Sequence, residues 1–184
     1  VLSGAGDPIR ANRALDQVWT RLADSEHGTV RLFDPPFETT DKDPGYIKSY
    51  PPGVRENGGQ YTHAACWFVI ALARLGRAEQ AWKAFSMLNP VNHARDQATA
   101  DHYRVEPYVV AADVYAADKA GRGGWTWYTG SAGWLYRAAV EAILGIEKRG
   151  DRVFVQPCLP PQWEGFTAEL RLGAALLRVK VSWG

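Results

Sequence analysis

Apolar residues recur at three-and-four spacing through the first segment, Ile9 to Ala23, where Ala14, Leu15, Val18, Trp19 and Leu22 share one side and predict a helix. The period then dissolves. Between Gly28 and Gly59 stand five prolines, five glycines and many charged residues, which predicts a long structured loop of the kind that carries function. Gln60 to Leu75 restores the helical period, with Ala64, Trp67, Phe68, Ala71, Leu72 and Leu75 on one side and Gly76 as a stop. Arg77 to Leu88 repeats it with Ala81, Trp82, Phe85 and Leu88, and Asn89-Pro90 ends it, so the two segments form an antiparallel helical hairpin.

Beyond a polar stretch, Val91 to Arg104, a Glu106-Pro107 start predicts a third helix to about Lys119, since proline suits the first helical position. Ser131 is placed to cap a further helix, Ala132 to Leu144, whose Trp134, Leu135, Ala138, Ala139, Ala142 and Ile143 face inward before Gly145 closes it. Past Gly150 the period changes to two. Arg152 to Gln156 and Phe166 to Ser182 alternate apolar and polar residues as strands do, with the proline-bearing Pro157 to Gly165 between them as a loop. The chain thus reads as mainly α, residues 1–148 being the last hairpins of a helical toroid and residues 149–184 the start of a β-domain.

At 184 residues and 46% hydrophobic content the chain supports one ordinary core. A net charge of +1, from 21 basic and 20 acidic residues, supplies no field to draw nucleic acid, so any anion is held locally. Cys66 and Cys158 lie in apolar surroundings far apart in sequence and are expected to be reduced thiols. No run reaches the ~18 apolar residues of a membrane span. The chain opens on Val1 and its only methionine is Met87, from which we expect a piece of a longer protein. Eight tryptophans and eight tyrosines are many for such a core, and rings of this kind stack on sugar C–H faces.

Two segments concentrate chemistry. Tyr50-Pro51-Pro52-Gly53-Val54-Arg55-Glu56-Asn57-Gly58-Gly59-Gln60-Tyr61-Thr62-His63 joins a rigid turn, a cation and a carboxylate to a helix whose first turn bears a histidine, where free backbone N–H groups favour an anion. In Gly121-Arg122-Gly123-Gly124-Trp125-Thr126-Trp127-Tyr128-Thr129-Gly130-Ser131, a hydroxyl and consecutive amides precede a helix start and can cradle phosphate oxygens. Each also admits a plain structural reading. His63 can satisfy a neighbouring carbonyl, and Gly130 can serve tight packing beside an ordinary cap.

These segments, with Leu88-Asn89-Pro90 followed by His93, Val105-Glu106-Pro107-Tyr108-Val109 and Glu141-Ala142-Ile143-Leu144-Gly145, resemble the carboxy-terminal half of glycoside hydrolase family 94, which contains the cellobiose and chitobiose phosphorylases. The likeness runs from about Tyr46 to Phe166 and is strongest to the phosphorylase-like domain ending cyclic β-1,2-glucan synthases and to 1,2-β-oligoglucan phosphorylases. It implies an (α/α)6 toroid followed by a β-sandwich domain. It further implies that His63, Thr129 and the Gly130 backbone bind phosphate, and that Tyr50, Arg55 and Glu56 contact the sugar. The family's general acid, an aspartate, lies upstream of these motifs, as does its remaining phosphate-binding arginine. Asp34, Asp41, Asp43 and Asp113 stand in no matching context, so this chain alone is expected to be inactive.

The implied partners are a β-glucan oligosaccharide, phosphate as co-substrate and the missing amino-terminal half of the toroid, with a homodimer left open and neither cofactor nor metal nor nucleic acid expected. The implied location is cytoplasmic, tethered to the inner membrane if the parent is a cyclic glucan synthase. Three other readings stand beside phosphorolysis: a non-catalytic glucan-binding or chain-length-setting module, a helical protein-interaction array, and a hydrolase using Glu56 as acid.

Overall fold

The computed structural model describes residues 1–182, so the last two residues of the 149–184 segment lie outside the described residues. The described residues form five α-helices and four two-stranded antiparallel pairs. Helix α1 (Pro8–Arg21) starts as its sequence dictates, with Asp7 accepting the Arg10 N–H and Pro8 at the first helical position. The pair β1 (Ala23–Asp24) and β2 (Thr29–Val30) follows.

Helix α2 (Thr62–Arg74) begins two residues later than the apolar pattern predicts, because Gln60–Tyr61 is taken into a strand, β3. It is the central element of the core. Ala65, Cys66, Phe68, Val69, Ile70, Ala71, Leu72 and Ala73 are all buried, which covers most of the helix circumference and not the single face expected. Trp67, expected to point inward, is instead 42% exposed. Gly76, at φ +71°, turns the chain into α3 (Ala78–Leu88) as expected. Arg77 fixes this corner to α1, its guanidinium 2.6 Å from the Asp16 carboxylate and 2.8 Å from Asn12 Oδ1.

The helix expected over 106–119 is absent. That stretch holds a short strand, β4 (Asp113–Val114), and a 3-10 turn, while the segment expected to be irregular contains α4 (Gln97–Tyr103). Both corrections have local causes. A reciprocal cap between Asp96 and Thr99 starts α4, and Tyr103 gives it one deeply buried anchor. The 106–119 backbone is claimed by tertiary partners: Gln60 pairs with Val114 and Tyr61 with Asp113, while Ala112 accepts the Thr62 N–H and donates to the Trp125 carbonyl.

Helix α5 (Ser131–Arg137) runs on as a π-helical segment, Ala138–Ile143, and packs on α2. Ser131 is its first residue and not its cap; Gly130 occupies the cap position, and the Thr129 hydroxyl accepts the Ser131 N–H at 2.9 Å. Two hairpins follow, β5 (Ile146–Arg149) with β6 (Arg152–Val155), and β7 (Gly165–Leu172) with β8 (Ala175–Ser182), the latter turning at Gly173 with φ +64°. Strand β5 precedes the expected change of period at Gly150, so a division between 148 and 149 falls inside a strand.

Candidate functional site

The irregular stretch before α2 is organised by one side chain. Asn57 is fully buried, donates from Nδ2 to the carbonyls of Phe37 (3.0 Å) and Tyr50 (2.8 Å), and accepts the Phe37 N–H at 2.7 Å. It thereby closes the turn 50–59 against the preceding loop. Gly59 passes so close to Arg55 that a Cβ would sit 3.0 Å from the Arg55 carbonyl oxygen and amide nitrogen, which explains the glycine there. Arg55, at the apex, adopts φ +50°, a left-handed conformation that is costly for a residue with a Cβ.

That backbone aims the Arg55 guanidinium at aromatic faces. It lies 3.9 Å from the Trp125 ring centre and 5.5 Å from that of Tyr50, so two of the three sugar-contact candidates and a residue from the second segment are brought together. The third, Glu56, has its Oε2 buried with no hydrogen-bond partner among the described residues.

His63 sits in the first turn of α2, and its ring is enclosed by others. Tyr61 stacks at 6.0 Å, Trp67 meets it edge-on at 4.7 Å and Trp134 lies 5.3 Å away. Its Nε2 is buried and, like the Glu56 oxygen, finds no partner among the described residues. The structural reading in which His63 satisfies a nearby carbonyl through Nε2 is therefore not realised. His93, by contrast, does so: a ring nitrogen lies 2.7 Å from the Met87 carbonyl and the ring stacks on Tyr103 at 4.8 Å, while burial holds its pKa below the usual histidine value.

Helix α5 brings the second segment to the first. Trp134, whose N–H reaches the Gly130 carbonyl at 3.4 Å, is the residue whose indole packs on His63, and Cys66 Sγ lies 4.0 Å from the Ser131 carbonyl oxygen. The Thr129 hydroxyl is in close contact with that of Ser131. Gly130 has an ordinary φ of −80°, and a Cβ added to it would meet nothing within 4 Å, so tight packing does not explain this glycine. Its exposed backbone is open to an approaching group.

One residue in the site carried no sequence signal. Asp113 is 2% exposed, and its Oδ1 accepts the Trp125 N–H at 2.9 Å while Oδ2 has no partner among the described residues. Burial raises its pKa, the Trp125 amide and the Arg55 charge pull it back, and the Glu56 charge pushes it further up. Tyr50, Arg55, Trp125, Asp113, Tyr61, His63 and Trp134 are thus linked by successive contacts that join aromatic faces, the Arg55 cation and buried polar atoms. Such a combination suits a polar ligand with apolar C–H faces and an anionic companion. Among the described residues no group of His, Cys, Asp and Glu is arranged to hold a metal ion, and no helix is long and apolar enough to cross a membrane.

Residues 1–145 match the catalytic domain of the glycosyl hydrolase 94 superfamily. The chain belongs to that superfamily. Relatives within glycosyl hydrolase 94 include the cyclic beta-(1,2)-glucan synthase NdvB of Rhizobium meliloti, 64% identical over 98% of this chain and 6% of the synthase. An N,N'-diacetylchitobiose phosphorylase of Vibrio furnissii is 35% identical over 98% of this chain and 22% of the phosphorylase. A 1,2-beta-oligoglucan phosphorylase of Listeria innocua is 27% identical over 64% of this chain and 12% of its own length. The chain therefore spans less than a quarter of each of these glycosyl hydrolase 94 relatives.

Proposed function

We propose that this chain is the phosphate- and sugar-gripping part of an inverting glycoside phosphorylase that cleaves β-glucan with inorganic phosphate, within a cyclic β-1,2-glucan synthase. In this reading the helical residues 1–148 are the carboxy-terminal half of an (α/α)6 toroid, and the strands after them open a β-sandwich domain. His63, Thr129 and the Gly130 backbone hold phosphate. Tyr50, Arg55 and Glu56 hold the sugar beside the bond to be cut.

The observation that carries the reading is the pair of buried, unpartnered polar atoms, His63 Nε2 and Glu56 Oε2, the latter next in sequence to the Arg55 that stacks on Trp125. A buried polar atom without a partner forfeits about 1–3 kcal/mol, and a site for a polar ligand is the ordinary place for it. Phosphate supplies acceptors for the imidazole and for backbone amides, and a sugar hydroxyl supplies a donor for the carboxylate. In the reaction a carboxylic acid outside this chain protonates the bridging oxygen, a phosphate oxygen bonds to the anomeric carbon from the opposite face, and the glycosidic C–O bond breaks. The products are an α-glucose 1-phosphate and a glucan shorter by one unit. Phosphate, already an anion, needs no second carboxylate as base, and the donors that hold it act on charge shifting in the transition state.

The test is release of α-glucose 1-phosphate from β-1,2-glucan by the intact protein. Release that requires phosphate and falls with His63→Ala supports the reading. Glucan binding without release favours the alternative, a glucan-binding or chain-length-controlling module of the synthase, which the identity to NdvB equally accommodates. Equal cleavage in phosphate-free buffer points to hydrolysis.

A further inference from the structure

We propose that Asp113 is a positioning residue for the sugar side of this site, holding Arg55 and Trp125 against each other; the proposal rests on the phosphorylase reading above. Asp113 lies on β4, opposite Tyr61, the last residue of β3, which precedes His63 of α2 by two positions. The 123–125 backbone is shaped around its carboxylate. The Gly124 N–H bonds to the Asp113 carbonyl at 2.9 Å, a Cβ at Gly124 would collide with the carboxylate, and the Trp125 N–H bonds to Oδ1 at 2.9 Å.

The positive charge felt by this carboxylate is that of Arg55, which with its main-chain N–H pulls the Asp113 pKa down against the effect of burial. Arg55 makes no ion pair within 4.0 Å among the described residues. Its guanidinium is held by ring faces, and its backbone is in the left-handed region. A non-glycine residue persists there only where its surroundings over-determine it. Burying a carboxylate with one oxygen unbonded is also unfavourable, so two costly features meet at Trp125, one at its backbone and one at its ring. They are mutually explained if the Asp113 charge draws the Arg55 turn inward while its Oδ1 fixes the Trp125 backbone, which sets the guanidinium over the indole.

The pairing that places the start of α2 uses no atom of the Asp113 side chain. The first amide of α2, Thr62 N–H, bonds to the Ala112 carbonyl at 3.0 Å through main chain alone. Loss of the Asp113 charge is therefore expected to weaken glucan binding and spare phosphate binding.

The experiment compares wild type, Asp113→Ala, Asp113→Asn, Arg55→Ala and Arg55→Ala with Asp113→Ala in the intact protein, following KM for β-1,2-glucan, KM for phosphate and thermal melting. Asp113→Ala is expected to raise the glucan KM at least about tenfold, the scale of one lost charge-assisted contact, with the phosphate KM within about twofold of wild type. Asp113→Asn, which keeps an acceptor for the Trp125 N–H, is expected to fall between wild type and Asp113→Ala. The double variant is expected to be no worse than Arg55→Ala, because both changes remove one unit. The proposal is overturned if the two effects multiply, if both KM values rise together, if the glucan KM does not move, or if both Asp113 variants fail to fold. Should the wild-type protein release no sugar phosphate, the phosphorylase reading fails, and glucan Kd values from calorimetry on the same variants still decide the role of Asp113 by the same pattern.

Discussion

The His63 imidazole lies 5.3 Å from the Trp134 indole, centroid to centroid and inclined by 34°, although the two stand far apart in sequence. This contact lays the first turn of α2 beside the first turn of α5. The proposed phosphate grip of His63, Thr129 and Gly130 relies on this contact.

His63→Ala in the intact protein removes a donor whose Nε2 is buried and unpartnered. A hydrogen bond to a charged group contributes about 1.5–3 kcal/mol, so kcat/KM for phosphate is expected to fall about 10- to 100-fold. Steady-state rates at varied phosphate check this, and an unchanged value excludes His63 as a ligand.

Asn57→Ala removes three hydrogen bonds from a fully buried residue and frees the 50–59 turn. At about 0.5–1.5 kcal/mol each, the loss is expected to be about 2–4 kcal/mol. Denaturant unfolding measures it. Glucan binding is expected to weaken as well, since Tyr50 and Arg55 stand on that turn.

Burial lowers the His93 pKa below its ordinary 6.5, so the folded state favours the neutral ring. The sign follows by linkage: the contribution is present above pH 6.5 and is lost as pH falls through the lower folded pKa. Thermal melts from pH 8 down to about pH 5 are expected to show this acid-side loss. His93→Gln, which still offers a donor to the Met87 carbonyl, flattens that part of the profile if the assignment is right.

Desolvation pushes the Cys66 thiol up to about 12, and the residue is fully buried. Thiol reagents at neutral pH are expected to modify the half-buried Cys158 before Cys66 in the native chain, with both reacting in denaturant. Mass mapping of the labelled cysteines reads the order.

The helical hairpin α2–α3 is legible in sequence because Gly76 punctuates two clear apolar periods and both segments fold as helices, although α2 is buried nearly all round and turns Trp67 outward. The segment 106–119 misleads because Pro107 is a sound helix-start signal locally, whereas its backbone groups are claimed by residues 60–62 and 125, a long-range event that no window of sequence contains. Helix α4 escapes notice because its sequence is polar and its stability comes from the Asp96–Thr99 cap and one buried ring, Tyr103. Within the site, the residue types at 55, 56 and 63 advertise chemistry by themselves. Asp113 does not, since its importance lies in meeting Trp125 and Arg55 through pairing with β3, and Asn57 likewise reads as a turn residue until its three bonds are seen.

The decisive measurement is a diffraction structure of the intact protein with inorganic phosphate. One phosphate within about 3 Å of His63 Nε2, Thr129 Oγ1 and the Gly130 amide is the expected result, that being ordinary charge-assisted hydrogen-bond length. Phosphate bound elsewhere, or residues 63 and 130 serving separate ions, contradicts the account.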